Sequence, residues 1–449
     1  MARRGGACDI DKWRASRQSR RVMLSRDRFV PLPPRPEDLS TVVTRSDREA
    51  DPAACGLERA QVEAIWDAVL RLYRTRTQPA ITLAIRRRGQ LVLERTIGHA
   101  RDGVLATPRT PMCTFSVSKA VTAVVMHLLD ERDHLRLDDP VCEYIPDFAR
   151  HGKEWVTLRH VLTHRAGIPS VAGDPKQKPS LREAFRRENN SIAALSDPDR
   201  IVQVLCDAKP VFLPGRRLAY HAVTGGFILG EVVKRVTGRG IDEVLRDEIA
   251  RPLGMEYLSY GIAPELQGRV AENRFTGYGI PFPFSRLVKR ALGMPLEEAV
   301  EVSNDPRWMS AIVPSGNVYA TADDLARFFE MVMREGSLDG HRVLAPRTVR
   351  RMLVESAYFE PDLTLGLAVR YGQGVMLGAL PVSPFGPDTS RAFGHYGLVN
   401  IVAWADPERD LSVGLLTSGK AFIANQLPAF FGLLGTISRQ VPRGPVAPR

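Results

Sequence analysis

The sequence predicts a mixed α/β fold of the α+β type: an antiparallel sheet flanked by helices, with a mostly helical region inserted into it. Runs rich in Ile, Leu and Val occur at 79–100 and again at 391–418, as expected for paired strands. Between 133 and 310, short helical patterns bounded by Pro and Gly replace the strand periodicity. The sheet is therefore predicted to combine parts of the chain that are far apart in sequence.

The first elements are a helix and a hairpin. Apolar residues recur at helical spacing over 58–76, which predicts an amphipathic helix with one buried side. The residues on that side are Val62, Ile65, Trp66, Val69, Leu70 and Leu72. In 79–100, two strand-like runs flank Arg88-Gly89, and the glycine favours a tight turn between two antiparallel strands.

A buried helix is predicted from CTFSVSKAVTAVVMHLLDE, residues 113–131. Eight of the ten residues after Lys119 are apolar, so this helix has almost no polar face. Ser116 and Lys119 are predicted to lie on its first turn. Further on, Thr321 is predicted to cap a helix with an acidic first turn, and a DPERD turn is predicted to join the last two strands.

The domain organisation follows from these patterns. Residues 1–50 are rich in Arg and Pro and are predicted to form a poorly ordered leader. Residues 51–440 form one domain, whose sheet-containing part is 51–132 and 311–440 and whose helical part is 133–310. Residues 441–449 form a tail.

The positive charge is concentrated at the start of the chain. The formal net charge is +11, and residues 1–28 alone hold nine basic and three acidic residues. No other run mixes clustered Arg and Lys with aromatic residues, as a nucleic-acid groove would. We therefore expect no nucleic-acid partner.

The lack of a recognisable targeting signal and the scattered cysteines predict a cytoplasmic protein. The basic start is not followed by an apolar stretch and a small-residue cleavage site, and no run of about 18 apolar residues predicts a membrane span. The five cysteines are scattered, without a Cys-x-x-Cys pair. We expect a reduced protein with neither a disulfide framework nor a zinc site.

Ser116 and Lys119 form a Ser-x-x-Lys pair. Residues i and i+3 share a helix face, so the Lys119 amine can reach the Ser116 hydroxyl. A serine is a weak nucleophile without a neighbouring base, and burial lowers the pKa of a lysine toward the range in which it can act as that base. The alternative is a chance match of a short motif, which the apolar surroundings of Lys119 disfavour.

Two further motifs give the chain a recognisable pattern. SVSK at 116–119, YHA at 220–222 and HYG at 395–397 follow one another in the order of the three signatures of the penicillin-recognising serine hydrolases. The sequence resembles that superfamily over roughly 55–435, in particular its class C β-lactamase-like branch and the family VIII carboxylesterases. The resemblance implies a β-lactamase/transpeptidase-like fold.

The resemblance also implies roles for individual residues. Ser116 would attack a carbonyl and become acylated, while Lys119 and Tyr220 share the proton transfers. Tyr220 would be the general base for attack and the acid for the leaving group, with its pKa lowered by the nearby ammonium. The alternative for Tyr220 is a core tyrosine with a satisfied hydroxyl.

The third motif would complete the site. His395 would line the acyl site, with Gly397 beside it, and the N–H groups of Ser116 and Leu398 would form the oxyanion hole. The family's Asn two residues after the Tyr is Ala222 here, and the Lys of its Lys-Thr-Gly motif is His395, largely neutral at pH 7. Both departures point away from β-lactams and peptides and toward esters.

Other features receive less weight. His160 and His164 have zinc-like spacing, but no third ligand accompanies them, so we expect no metal and no cofactor. The aromatic, then basic, stretch 275–293 is interpreted as a lid or packed loop, with an acyl-pocket wall or a peripheral lipid contact as alternatives.

The predicted function is that of a serine carboxylesterase or lipase-like hydrolase acting on a small-molecule ester or acyl substrate. Acyl transfer to another alcohol and a β-lactamase or D-amino peptidase activity remain alternatives within the same fold. A non-catalytic binding or sensing relative is the alternative from a different class. The oligomeric state does not follow from the sequence.

Overall fold

A computed structural model describes residue 32, residues 36–168 and residues 197–444. The strands are β1 (Val43–Arg45), β2 (Ala80–Arg87), β3 (Gln90–Arg101), β4 (Val104–Leu105), β5 (Met112–Cys113), β6 (Ser259–Tyr260), β7 (Val318–Ala320), β8 (Ser337–Leu338), β9 (His341–Arg342), β10 (Ala357–Pro361), β11 (Ala368–Tyr371), β12 (Met376–Leu377), β13 (Phe393–Tyr396), β14 (Val402–Asp406) and β15 (Leu411–Thr417). The helices are α1 (Arg59–Arg74), α2 (Ser118–Glu131), α3 (Val141–Tyr144), α4 (Leu158–Leu162), α5 (Pro198–Asp207), α6 (Thr224–Thr237), α7 (Ile241–Leu245), α8 (Phe284–Leu292), α9 (Leu296–Val302), α10 (Pro306–Ser310), α11 (Ala322–Met333), α12 (Pro346–Met352) and α13 (Gln426–Gln440).

The predicted antiparallel sheet flanked by helices is confirmed. Its strands run in the order β1-β3-β2-β15-β14-β13-β12-β11-β10, with β4 paired to β3. At the centre, β2 pairs with β15 from Ile81 opposite Thr417 to Arg87 opposite Leu411. The N-terminal hairpin is thus joined directly to the last strand of the chain.

The predicted hairpin forms around Arg88 and Gly89, which have φ values of +53° and +80°. Two consecutive positive φ angles are typical of the tight turns whose twist suits paired strands. The predicted helix at 58–76 is also present, as α1. It packs with α13 on one face of the sheet, around a core that includes Trp66, Trp404 and Phe430.

The opposite face of the sheet carries α11 and the helical region. Thr321 caps α11 as predicted, since its side chain accepts a hydrogen bond from the Asp324 N–H at 3.1 Å. The helix begins so close to β15 that a side chain at Gly414 would clash with the Ala322 carbonyl. The larger core lies on this side and includes the whole apolar run of α2.

A small second sheet connects this core to the site. Its order is β5-β7-β6, and β6 is the one strand among the described residues of the region 133–310, which otherwise contains the helices α3 to α10. Residues 169–196 of that region lie outside the described residues. Strand β5 leads directly into the turn that carries Ser116.

The chain ends differ from the predicted leader and tail where the structure describes them. Residues 39–42 form a short 3-10 turn, and β1 pairs with β3. The hairpin leaves the outer edge of β3 with unpaired backbone groups, and β1 satisfies them. Val441 is buried, so the domain extends beyond residue 440. Most of the predicted leader lies outside the described residues.

Strands β10 to β12 were not predicted, because their short sequences lack a clean alternation of apolar and polar residues. Among the described residues, no helix is both long enough and apolar enough to cross a membrane.

Candidate active site

Ser116 lies on a strained turn at the start of α2. The residues Phe115–Val117 form a 3-10 turn, and Phe115 has a φ of +49°, which is unfavourable for a residue with a side chain. The Ser118 hydroxyl donates to the Phe115 carbonyl and accepts from the Val318 N–H at 2.9 Å. Ser118 therefore fastens the turn to β7 and leaves the Ser116 hydroxyl as the one that faces Lys119.

Lys119 is buried and held by two backbone carbonyls. Its Nζ lies 2.8 Å from the Ala222 oxygen, 2.9 Å from the Ser315 oxygen and 3.1 Å from the Ser116 Oγ. Burial lowers the pKa of Lys119 to about 7, as the sequence predicted. An uncharged amine has two N–H groups and one lone pair. With both N–H groups donated to carbonyls, the lone pair is directed at the Ser116 hydroxyl.

Tyr220 lies beside Ser116 and Lys119. Its pKa differs from the predicted one. Its hydroxyl interacts with Ser116, and the Lys119 Nζ lies 4.7 Å from the centre of its ring. The sequence predicted a lowered pKa for Tyr220, with roles as base for attack and acid for the leaving group. The pKa prediction was wrong in direction, because burial raises the pKa of Tyr220 well above its usual value. The two roles stay predictions. The tyrosine is a neutral phenol, suited to donate a proton.

His395 faces the same space. Its Nδ1 lies 2.7 Å from the Tyr396 carbonyl oxygen, so Nδ1 must carry the hydrogen and Nε2 presents a lone pair. Its ring centre is 6.3 Å from that of Tyr220. Burial, followed by the charge of Lys119, lowers the pKa of His395 to about 3. The position therefore has no fixed positive charge at neutral pH.

Gly397 and Leu398 bring the end of β13 against the serine turn. A side chain at Gly397 would clash with the Thr114 carbonyl, so only glycine allows this approach. The Gly397 N–H donates to the Ile401 carbonyl at 2.9 Å and is not available to a substrate. The N–H groups of Ser116 and Leu398 form no backbone hydrogen bond within the described chain.

Three further residues support this arrangement, of which the sequence singled out only His164, and for a different reason. Ser315 supplies one carbonyl to Lys119, and its Oγ accepts the Gly226 N–H at 2.8 Å. His164 packs against Tyr220, with ring centres 4.6 Å apart. Asp362 accepts the Tyr220 N–H at 3.1 Å. The role of Ser315 could not be predicted, because a backbone carbonyl leaves no side-chain signature.

The two histidines with zinc-like spacing have separate roles. His160 Nδ1 accepts the Thr157 N–H at 3.2 Å, in the cap of α4. His164 Nδ1 accepts the His221 N–H, also at 3.2 Å. No group of metal ligands is found within residues 36–168 and 197–444.

A comparison with family models decides the relationship. The Beta-lactamase family model matches residues 66–428, which is most of the chain. The chain belongs to the beta-lactamase family. The suspected resemblance is thereby confirmed, and the matched residues contain all three motifs.

Individual relatives agree with the family. The chain is 29% identical over 316 residues to "Esterase/beta-lactamase LipL" of Mycobacterium tuberculosis, covering 67% of this chain and 68% of that protein. A penicillin-binding protein homologue from Caulobacter crescentus superposes with a TM-score of 0.70 and 27% identity, over 85% of this chain and 97% of that one. A family VIII carboxylesterase also gives a TM-score of 0.70, with 24% identity over 85% and 97% of the two chains, and shows the fold. Family and names together indicate a hydrolase.

Proposed function

We propose that this protein is a serine hydrolase that cleaves carboxylic esters through an acyl-enzyme on Ser116, with Lys119 and Tyr220 as proton-transfer partners. One observation carries the proposal: the Lys119 amine, with a pKa of about 7, lies 3.1 Å from the Ser116 Oγ and is oriented by two carbonyls. A serine hydroxyl beside the lone pair of a neutral amine is the arrangement of an activated nucleophile, and a lysine with a purely structural role does not require it.

Acylation begins with proton transfer from the Ser116 hydroxyl to the neutral Lys119 amine. The Ser116 oxygen attacks the ester carbonyl, and the N–H groups of Ser116 and Leu398 stabilise the negative charge that develops on the carbonyl oxygen. Loss of one such donor typically costs about 10² to 10³ in rate. The neutral Lys119 is regenerated later, so this residue acts as the general base.

The leaving alcohol takes its proton from Tyr220. As the carbon–oxygen bond of the ester breaks, the Tyr220 hydroxyl protonates the departing alkoxide, and the Lys119 ammonium returns a proton to the phenolate. Water then attacks the acyl-enzyme and gives a proton to Lys119. The Lys119 ammonium protonates the departing Ser116 oxygen as the carboxylic acid is released. Every proton is accounted for by these three side chains and one water.

The lining of the site favours esters over β-lactams and peptides. A neutral imidazole at 395 supplies no cation for a substrate carboxylate, and Ala222 has no side-chain amide to hold a substrate amide. An ester needs neither group. The name of the relative "Esterase/beta-lactamase LipL" holds both terms, so the choice of esters rests on these two residues.

The test is hydrolysis of a p-nitrophenyl ester series, from acetate to palmitate, beside a chromogenic cephalosporin. We expect ester turnover by the wild type and none above background by Ser116→Ala. Ser337→Ala is the matched control, because its hydroxyl contacts only the His341 carbonyl of a surface hairpin, and it should retain full activity.

The outcomes separate the alternatives. Equal turnover by wild type and Ser116→Ala would refute the proposal. Cephalosporin cleavage exceeding ester cleavage would favour a β-lactamase. Without turnover, labelling of Ser116 by a fluorophosphonate would indicate transfer to an acceptor other than water, and no labelling would indicate a non-catalytic binding protein.

A further inference from the structure

Large apolar side chains are exposed on three segments near the site. Phe282, Leu213 and Leu367 are 71%, 66% and 65% exposed. Phe284 and Leu363 are also exposed. A single exposed apolar side chain is common on protein surfaces, whereas a group of five is not. We call these five residues, from three separate segments, the apolar rim.

The three segments of the rim are in contact with one another and with the site. The Leu363 N–H donates to the Leu218 carbonyl at 3.0 Å, which joins the segment after β10 to the one before Tyr220. The Leu287 side chain of α8 packs against Gly366. On its inner side, α8 belongs to a cluster that includes Leu398. The segments that carry the rim are therefore joined to one another and to the Leu398 side of the site.

Helix α8 lies on the surface and is amphipathic. None of its residues is buried, although Val288 and Leu292 pack against the cluster beneath it. Its exposed surface combines Phe284 with basic residues. A basic amphipathic helix with aromatic residues at its exposed edge is typical of segments that lie in a lipid headgroup layer.

Two of the rim segments also carry basic residues, and these lack ion-pair partners in the described part of the chain. The six cations are Lys209, Arg216, Arg217, Arg286, Lys289 and Arg290, all exposed. Nearby arginines are different: Arg150 pairs with two aspartates, and Arg165 pairs with Glu360. The glutamates of α9 form no ion pair with these six cations either. The six cations therefore stand beside apolar side chains without an ion-pair partner among the described residues.

We propose that the apolar rim and its six cations are a docking surface for an anionic phospholipid bilayer. Aromatic and aliphatic side chains would enter the headgroup layer, while the cations contact the negatively charged headgroups. Neither feature alone selects this partner, but the combination on one surface does. The inference concerns binding and does not depend on ester hydrolysis.

Vesicle flotation of the full-length Ser116→Ala protein tests the proposal without turnover. We expect flotation with vesicles of phosphatidylcholine containing about 30% phosphatidylglycerol, and much less with phosphatidylcholine alone. The combined change Arg286→Gln, Lys289→Gln and Arg290→Gln should lower the partition coefficient at least about tenfold. Phe282→Ser with Phe284→Ser should cause a loss of similar size that persists at about 0.5 M salt.

The control removes three cations from another helix. Arg59→Gln, Arg71→Gln and Arg74→Gln change α1, whose exposed side carries no apolar rim, and should alter partitioning by less than about twofold. The basic segment 1–28 is present in every variant, so differences between variants report the rim. Absence of flotation, equal binding to both vesicle types, or an equal loss in the α1 variant would overturn the proposal.

Discussion

At the residue scale, the central feature is a lysine whose environment fixes both its charge and its direction. Burial disfavours the ammonium form, and the carbonyls of Ala222 and Ser315 take up its N–H groups. The same residue could not act as a base on an exposed helix face, where its pKa would remain near 10.4.

Lys119 predicts a pH dependence for ester hydrolysis. With a pKa of about 7, the amine is protonated at lower pH and cannot accept the Ser116 proton. We expect kcat/KM to fall about tenfold per unit of pH below that value and to level off above it. Lys119→Arg, which stays protonated, should lower kcat/KM about 10²- to 10⁴-fold at every pH. A flat profile from pH 5 to 9 would contradict the role of Lys119.

Tyr220 predicts a separate effect, on proton donation. Tyr220→Phe keeps the ring that packs against His164 and removes only the hydroxyl. We expect kcat to fall about 10²- to 10⁴-fold, with an unchanged melting temperature. Esters with a p-nitrophenolate leaving group, which needs little protonation, should be affected less than alkyl esters. An equal loss for both kinds of ester would rule out Tyr220 as the acid.

The proximity of the candidate catalytic residues could be predicted from sequence because the main ones stand in short motifs. Ser116 and Lys119 are three residues apart on one turn, and their proximity follows from helix geometry. The carbonyl of Ser315 and the carboxylate of Asp362 reach the site by long-range packing, which local patterns do not encode. The pKa of Tyr220 was predicted wrongly. Burial, a property of the whole fold, raises this pKa, whereas the prediction considered only the neighbouring Lys119.

At the element scale, the main feature is the close packing of α11 on the sheet. Gly414 on β15 lies directly beneath the first turn of α11. The strands β2, β3 and β15 were predictable from their long apolar runs, whereas β10 to β12 are short and partly exposed. Strand prediction fails where burial no longer imposes an alternating pattern.

Gly414→Ala should therefore destabilise the protein by about 1–3 kcal/mol, as overpacking of a dense interior does. Gly432→Ala on α13 is the matched control. It is a helical glycine with open space around it, where alanine should be neutral or stabilising by up to about 1 kcal/mol. Urea unfolding of both variants measures the difference. Equal effects would show that α11 does not press on β15.

At the scale of the whole molecule, buried lysines link stability to pH. Lys420 is fully buried, with its Nζ 2.5 Å from the Thr417 carbonyl, and burial lowers its pKa to about 7, like that of Lys119. In the unfolded chain both lysines bind protons up to about pH 10.4. Between these values the unfolded state holds more protons, so raising the pH favours the folded state.

We expect the free energy of unfolding to rise between pH 7 and 9, by up to about 1.4 kcal/mol per unit of pH for each lysine. Urea titrations at the two pH values measure this rise. Lys420→Met should reduce the slope by removing one of three groups, since burial also lowers the pKa of Lys153 to about 8. A free energy that stays constant or falls over this interval would show that the lysines are charged in the folded protein.

The order of the central sheet also has a consequence during synthesis. Strand β2 emerges from the ribosome early, but its partner β15 ends at Thr417, more than three hundred residues later. Until then the nascent hairpin presents an open strand edge and an uncovered apolar face, which are the features that lead to misassembly. Its productive folding therefore depends on the last tenth of the chain, and a ribosome that stalls before β15 would release an aggregation-prone fragment.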